Sequence, residues 1–372
     1  MNLRSAVSTA LAGAGAVWFA RAVQGLPGSL GASVSDIRPY AAGSPRYRDG
    51  RFHNTDPVSV LGPEAAGGFA KDLLTRGGRG RPRTEVPLAP CLAPVEAGTL
   101  AVTWFGHSSA LVEVDGHRVL CDPVWSERVS PSPTIGPARL YPVPVELQAL
   151  PALDAVVISH DHYDHLDRFT VETLAILQPT ARFVVPLGVG AHLRRWKLPE
   201  DRIVELDWDQ HVEVSGLRIT CTEARHFSGR GLQRNITLWS SWVLAGPTHR
   251  VFFGGDSGYT PRFADLGEKY GPFDLTLLPV GAYDARWPDV HMNPEEAVRT
   301  HLDLGGVDRR DALLVPVHWG TFDLAFHGWS EPIARLLPAA QESEVPTTVP
   351  KPGQRIDASR PVTVEPWWLS SS

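Results

Sequence analysis

Sulfur is scarce in this 372-residue chain, which has three cysteines and two methionines. Cys91, Cys121 and Cys221 are an odd number at no metal-type spacing, which argues against a disulfide framework and against a thiolate zinc site. Cys121 and Cys221 sit in apolar-alternating runs and read as small core residues. No apolar run near the N-terminus reaches the roughly 20 residues that a confident membrane span needs. Positive charge is not in excess either: 35 basic side chains face 41 acidic ones, a net charge of −6. That balance argues against a nucleic-acid partner held by a general positive surface. Internal repeats and long low-complexity tracts are also missing, so the chain does not read as a repeat array. Plentiful, by contrast, are glycine (34) and proline (33), which predict many short elements joined by tight turns. The length suits one large domain or two modest ones.

Residues 1–98 read as an N-terminal extension with little strand pattern, and residues 99–372 as a catalytic domain. The extension opens with MNLRSAVSTALAGAGAVWFARAVQG, apolar from Ala6 to Ala20 between Arg4 and Arg21. Three non-spanning readings of segment 4–22 stand open: an export signal cut near Ala20-Arg21-Ala22, a helix lying on a membrane surface, or a plain packed helix. Localisation accordingly reads as membrane-associated or cytoplasmic, with export as the third option. Further on, TRGGRGRPRTEVPLAP carries Arg76, Arg79, Arg81 and Arg83 among Gly and Pro. It reads as a solvated loop, the other option being a contact to anionic head groups.

From Thr99 the pattern changes. TLAVTWFGHSSALVEVDGHRVLCDPV predicts two strands joined at Asp115-Gly116, a hairpin dipeptide. Short apolar strands follow at 155–159, 182–187, 211–222, 238–245, 250–254, 275–280 and 312–317. Helical patterns interleave at FTVETLAILQ and PEEAVRTHLDL, the second opened by Asn293, Pro294 and Glu296 as a capping box. Hairpins plus strand–helix alternation predict two mixed sheets covered by helices.

The stretch VVISHDHYDHLD, residues 156–167, crowds His160, His162, Asp164 and His165 behind a buried strand. Burying that many ionisable groups is costly unless a partner offsets the desolvation, and a metal ion does so. One ion could hardly use both ligand pairs of this turn without strain, whereas two adjacent ions could. The remaining ligands are then expected at other strand tips: His226 in CTEARHFSGR, Asp256 in VFFGGDSGY and His318 in LLVPVHWGTF. Alone, His226 or His318 would read as a satisfied core histidine, and Asp256 as an ordinary turn acid. Beside a half-complete site, the three become jointly expected. His107, in WFGHSS, follows a strand and reads as an outer or pocket residue; His301, inside a helix, reads as structural. His53, His117, His192, His211, His249 and His327 read as ordinary histidines.

H-x-H-x-D-H followed by a strand-end His, a Gly-Asp turn and a second strand-end His resembles the metallo-β-lactamase fold superfamily. WFGHSSALVEVDGHRVLCDPVWSERVSPSPTIGP, ISHDHYDHLD, GPFDLTLLPVGAYDARW, HMNPEEAVRTH and VPVHWGTFDLAFHGWSEP are similar, in order and spacing, to one branch. That branch is the N-acyl-phosphatidylethanolamine-hydrolysing phospholipase D group with its bacterial relatives. The likeness covers roughly 99–335, with a weaker echo in YRDGRFHN. It implies an α/β fold, the αββα sandwich, with a dinuclear metal centre at one edge. It implies that His160, His162 and His226 hold one ion, that Asp164, His165 and His318 hold the other, and that Asp256 bridges them. Asp164 and His291 are the implied catalytic residues, His291 lying near the substrate phosphate, and Asp167 the implied ligand-orienting acid. Pro133 and Thr134 stand where the mammalian enzymes carry a Gln-Tyr pair implicated in head-group contact. Head group and acyl chain are therefore left open.

Two zinc ions are the expected cofactors, with iron or manganese as alternatives for such N/O donors. Expected chemistry is attack of a metal-bridging hydroxide on a phosphodiester of an N-acyl-phosphatidylethanolamine-like phospholipid. Lactone or β-lactam hydrolysis at the same site is the alternative, and a non-catalytic lipid- or metal-binding protein the further one. Expected partners are a phospholipid or other small ester-like substrate, a peripheral membrane contact and a second copy in a homodimer.

Overall fold

Alternation decides which way each strand faces. In the run from 109 to 121, Val112, Val119 and Cys121 point into one buried cluster, while Leu111 and Leu120 point into another. Both faces of these strands are therefore covered, as their near-continuous apolar sequence requires. The structure, a computed structural model, describes residues 20–59, 71–72, 75–90, 96–305, 311–358, 360 and 364–372. A small hairpin, β1 (Tyr47–Arg48) and β2 (Arg51–Phe52), comes first and drops Phe52 into the main core. The first large sheet contains β3 (Leu100–Gly106), β4 (Ser109–Val114), β5 (His117–Cys121), β6 (Ala155–Val157), β7 (Arg182–Pro186) and β8 (Ile203–Leu206). The second contains β9 (His211–Val214), β10 (Leu217–Thr222), β11 (Ser241–Ala245), β12 (Arg250–Phe253), β13 (Leu275–Pro279) and β14 (Leu313–Val317). A last strand, β15 (Arg355–Asp357), returns to the first sheet beside β3.

The sheet orders are β15-β3-β4-β5-β6-β7-β8 and β14-β13-β12-β11-β10-β9. Each begins with antiparallel hairpins and continues in parallel: β5 to β8 in the first, β12 to β14 in the second. Parallel neighbours need crossovers, supplied by helices such as Arg168–Leu177, Arg262–Tyr270 and Pro294–Gly305. Cys121, Val157, Ile219, Cys221, Trp242, Phe253, Leu277 and Val315 meet in the shared core between the sheets. Val156 and Phe183 of the first sheet pack with Val171 and Leu174 of helix 168–177 in an outer layer. The architecture is an αββα sandwich, as the resemblance implies.

Two expected strands are in fact pairs. The stretch before Asp115 breaks at Gly106 (φ 107°) and His107 (φ 51°), so 99–121 yields three strands. The stretch 211–222 breaks at Ser215 (φ 55°) and Gly216 (φ 96°) into another hairpin. Both breaks lie inside apolar-alternating sequence, where period alone does not mark a turn. The capping box stands as read: Asn293 Oδ1 accepts from Glu296 N and Glu296 Oε2 from Asn293 N, each at 2.9 Å. The arginine-rich loop is tied down rather than simply solvated: Arg76 Nη2 is 2.5 Å from Asp323 Oδ2, and Trp329 N donates to Arg79 O. Most of segment 4–22 lies outside the described residues; among those described, no helix is long and apolar enough to cross a membrane.

Candidate metal centre

The site lies at one edge of the sandwich, where the tips of β6, β10, β12 and β14 each deliver ligand-type side chains. After β6, the N–H groups of His165 and Leu166 both donate to the His162 carbonyl (3.1 and 2.8 Å). That tight turn wraps His160, His162, Asp164 and His165 around one point. After β10 comes His226, after β12 Asp256, and directly after β14 His318, in left-handed backbone (φ 61°). Asp256 is aimed by Gly255 (φ 59°), where a Cβ would lie 2.6 Å from Ser159 Cβ and 2.9 Å from Ser240 O. Only glycine fits that approach.

The seven side chains come together. His162 Nδ1 lies 2.8 Å from His160 Nε2 and 3.4 Å from His226 Nε2. Asp164 Oδ2 lies 3.6 Å from both His165 Nε2 and His318 Nε2. Between the two groups sits Asp256 Oδ2, 3.1 Å from His165 Nε2 and from His318 Nε2, and 3.7 Å from His226 Nε2. It is also 3.9 Å from His160 Nε2 and from His291 Nδ1. One carboxylate oxygen therefore faces imidazoles of both groups.

Whether a metal suits these residues can be judged from atoms that lack partners. His165 Nε2, both ring nitrogens of His318, His291 Nδ1 and Asp256 Oδ1 are buried with no hydrogen bond. Buried polar atoms are ordinarily satisfied, and so many orphans around one point call for a cation. Imidazole nitrogen and carboxylate oxygen are donors that zinc, and also iron and manganese, accept. Electrostatics agree. Burial holds His160 and His226 well below the ordinary imidazole range. Burial acts on His165 and His318 too, but Asp256 overrides it, raising His165 well above its usual value and His318 to about 9. Burial likewise opposes ionisation of Asp256, yet His165 and His318 hold its carboxyl well below the usual range.

Ligand orientation is built in. His160 Nδ1 donates to Ser159 Oγ at 2.9 Å, and Ser159 Oγ donates on to Asp122 Oδ2 at 2.6 Å. His165 Nδ1 donates to Asp122 Oδ2 at 2.6 Å, and His226 Nδ1 to Val290 O at 2.8 Å. Each bond puts the proton on the nitrogen facing away, leaving Nε2 as the donor toward a metal. Asp122 and Ser159 were not singled out from sequence, although Asp122 in VLCDPV shares the strand-end position of the ligands. Asn54, in the RFHN echo, also matters: its side chain donates to His226 O at 2.7 Å and accepts from His226 N at 3.1 Å. Asp167 is placed differently from expectation. As the residue preceding helix 168–177, it accepts from Ser126 N and Ser126 Oγ (3.0 and 2.8 Å) and from Thr170 Oγ1, anchoring a loop rather than a ligand.

His291 lies over the site, its ring 5.1 Å from that of His226 and 5.2 Å from that of His318. Burial lowers its pKa to about 4, so the ring is neutral at pH 7. On its other side opens a cleft of about 430 Å³, lined also by Tyr283, Glu296, Phe326 and Glu331. His107, from the β3–β4 turn, places Nε2 2.9 Å from Asp164 Oδ2.

An αββα sandwich with a His/Asp cluster of this kind at its strand ends defines a metallo-β-lactamase-fold protein. Residues 117–319 match the family described as Beta-lactamase superfamily domain, and the chain belongs to that superfamily as a metallo-hydrolase. It is 56% identical over 369 residues, 98% of each chain, to an uncharacterized protein of Mycobacterium tuberculosis. It is 40% identical over 240 residues to the N-acyl-phosphatidylethanolamine-hydrolyzing phospholipase D 1 of Caenorhabditis elegans, covering 62% of this chain and 66% of that one. In fold it is similar to Igni18, a metallo hydrolase from the archaeon Ignicoccus hospitalis, at TM-score 0.52 and 23% identity, over 69% of this chain and 97% of that one.

Proposed function

We propose that the chain is a two-metal phosphodiesterase acting on a phospholipid of the N-acyl-phosphatidylethanolamine type. The observation that carries the reading is the pair of ligand groups sharing Asp256, with His291 standing between them and an open cleft. The substrate class is supported by the likeness to the worm phospholipase. In this reading His160, His162 and His226 would hold one ion and Asp164, His165 and His318 the other, with Asp256 placed between the two groups. Zinc is the ion proposed, with iron or manganese as alternatives. Bound there, such ions would supply Lewis acidity toward the phosphate oxygens and would lower the pKa of a bound water.

The chain's own residues supply the rest. Asp122, Ser159 and the Val290 carbonyl hold the imidazoles in donor orientation, so little reorganisation is needed when charge develops. His165, His318 and Asp256 are almost completely buried, which keeps bulk water from screening them. His291 is neutral at pH 7 and adjoins the cleft, so its N–H is placed to donate a hydrogen bond to a phosphate oxygen as charge develops there.

Metal analysis of purified protein should give close to two equivalents per chain. Hydrolysis should be seen with bis(p-nitrophenyl) phosphate and with N-acyl-phosphatidylethanolamine vesicles, and not with a simple lactone or a chromogenic β-lactam. Turnover of the lactone or β-lactam alone would replace the phosphodiester reading with acyl chemistry. Two bound ions without turnover of any substrate would point to a binding protein. His291→Ala should keep its metal while phosphodiester turnover falls by about 10² or more, the scale of a lost transition-state hydrogen-bond donor. Loss of metal along with activity would make His291 a ligand instead.

A further inference from the structure

One histidine at the centre is neither in the ligand set nor beside the cleft. His107 occupies the β3–β4 turn in left-handed backbone (φ 51°), a conformation unusual for a non-glycine residue. It is 1% exposed and its ring centroid lies 4.0 Å from that of His318. Its backbone is pinned on both sides: His107 N donates to Thr321 Oγ1 at 2.5 Å, and His107 O accepts from His318 N at 2.9 Å and from the Trp104 indole at 2.7 Å. With the main chain fixed this way, Nε2 has one close partner, Asp164 Oδ2 at 2.9 Å. A carboxylate lacks a donor, so Nε2 carries the proton of this bond.

The other ligands are oriented by groups of a different kind. Ser159, Asp122 and the Val290 carbonyl serve His160, His165 and His226. Asp164, on the same turn, is oriented from the opposite side by His107. His318, the other ligand of that half, receives no ring contact of this sort but has its N–H held by the His107 carbonyl. Two of the three ligands Asp164, His165 and His318 thus depend on one residue.

Resting on the metal-centre reading above, we propose that His107 is a positioning residue for the second ion: its Nε2–H fixes the Asp164 carboxylate, so the position formed by Asp164, His165 and His318 fills tightly only while that donor is present. The half formed by His160, His162 and His226 does not touch His107 and should not depend on it. Outer partners of metal ligands typically govern affinity by 10- to 100-fold.

Full-length protein stripped of metal and titrated with zinc alone tests this through stoichiometry and affinity. In His107→Asn the amide stops short of Asp164, and asparagine tolerates left-handed backbone. One zinc should bind as in the parent and the second about 10- to 100-fold more weakly. In His107→Gln the amide nitrogen reaches the Nε2 position, and the second affinity should recover most of the loss. Two undiminished zinc sites in His107→Asn would overturn the proposal, as would His107→Gln behaving like His107→Asn. Should the variants fail to fold, ¹⁵N spectra of the histidines in zinc-loaded parent protein decide: the proposal requires the Nε2–H tautomer at His107, and an Nδ1–H tautomer overturns it. If the parent itself binds no zinc, the metal-centre reading fails first, which separates the two failures.

Discussion

The two ends of the sandwich are made from the same strands and treat polar groups in opposite ways. At the far end the chain simply turns round, at Asp115-Gly116 and at Ser215-Gly216. There Asp115 accepts from Thr248 N, His249 N and His249 Nδ1 at 2.7, 2.8 and 2.6 Å, joining one sheet to the other. His301 at that end is also satisfied, its Nδ1 2.8 Å from Thr276 Oγ1. Left-handed backbone occurs at both ends, at Asp115 and Ser215 as at His107 and His318, but at the site end buried nitrogens of His165, His291 and His318 lack partners. Unsatisfied buried groups persist only where the surroundings over-determine them, and they concentrate where chemistry is done. The lesson is positional: a histidine's role here is read from which end of its strand it occupies.

The largest contrast should come from the same substitution at each end. Gly255→Ala drives a Cβ against Ser159 Cβ and the Ser240 carbonyl (2.6 and 2.9 Å). Ser159 orients His160 and contacts Asp122, so metal content and activity should collapse together. Gly216→Ala meets only His117 Nε2, at 3.9 Å, and adds backbone strain alone. It should cost about 1–2 kcal/mol in a denaturant titration and leave metal content unchanged. Metal loss in both variants would mean that the two ends are not independent.

A smaller contrast uses one aspartate from each end. Asp122→Asn keeps the shape but weakens the acceptor for His165 Nδ1 and Ser159 Oγ. Zinc affinity should fall about 10- to 100-fold. Asp115→Asn, at the far end, should lower stability and spare the metal. Equal zinc affinity in Asp122→Asn and the parent would remove Asp122 from the metal-orienting set.

Most of the frame was legible because it is periodic. Apolar alternation located the strands, and the capping box located helix 294–305. The metal cluster was legible for a different reason: four ligand residues lie within six positions, 160 to 165, of one turn. The groups that orient it were not. Asp122 and Asn54 come to the site from distant stretches of sequence, and the one local signal is the place of Asp122 at a strand end, which it shares with the ligands. Asp167 misled for the converse reason, being near in sequence while its carboxylate is taken by Ser126 and Thr170. The hidden turns at 106–107 and 215–216 depend on backbone conformation that an apolar pattern does not record.

The smallest effect concerns the far-end histidine. Burial lowers the pKa of His301 to about 4, so it is neutral in the folded protein near pH 7. An unfolded histidine titrates near 6.5. Below that value the unfolded chain takes up a proton that the folded chain refuses, so stability contributed by neutral His301 is complete above about pH 6.5 and is lost progressively as pH falls toward 4. Between pH 7 and pH 5.5 the loss should be about 1 kcal/mol. His301→Asn keeps a polar group facing Thr276 but cannot titrate, so its stability should fall by about that much less over the same interval. Denaturant titrations of metal-free parent and variant at the two pH values measure the difference directly, without interference from ligand protonation competing with zinc. At the site end the histidines do not move together: burial lowers His160, His226 and His291 as it lowers His301, whereas Asp256 raises His165 and His318. Identical pH slopes for parent and His301→Asn would show that burial at the far end does not set that histidine's charge.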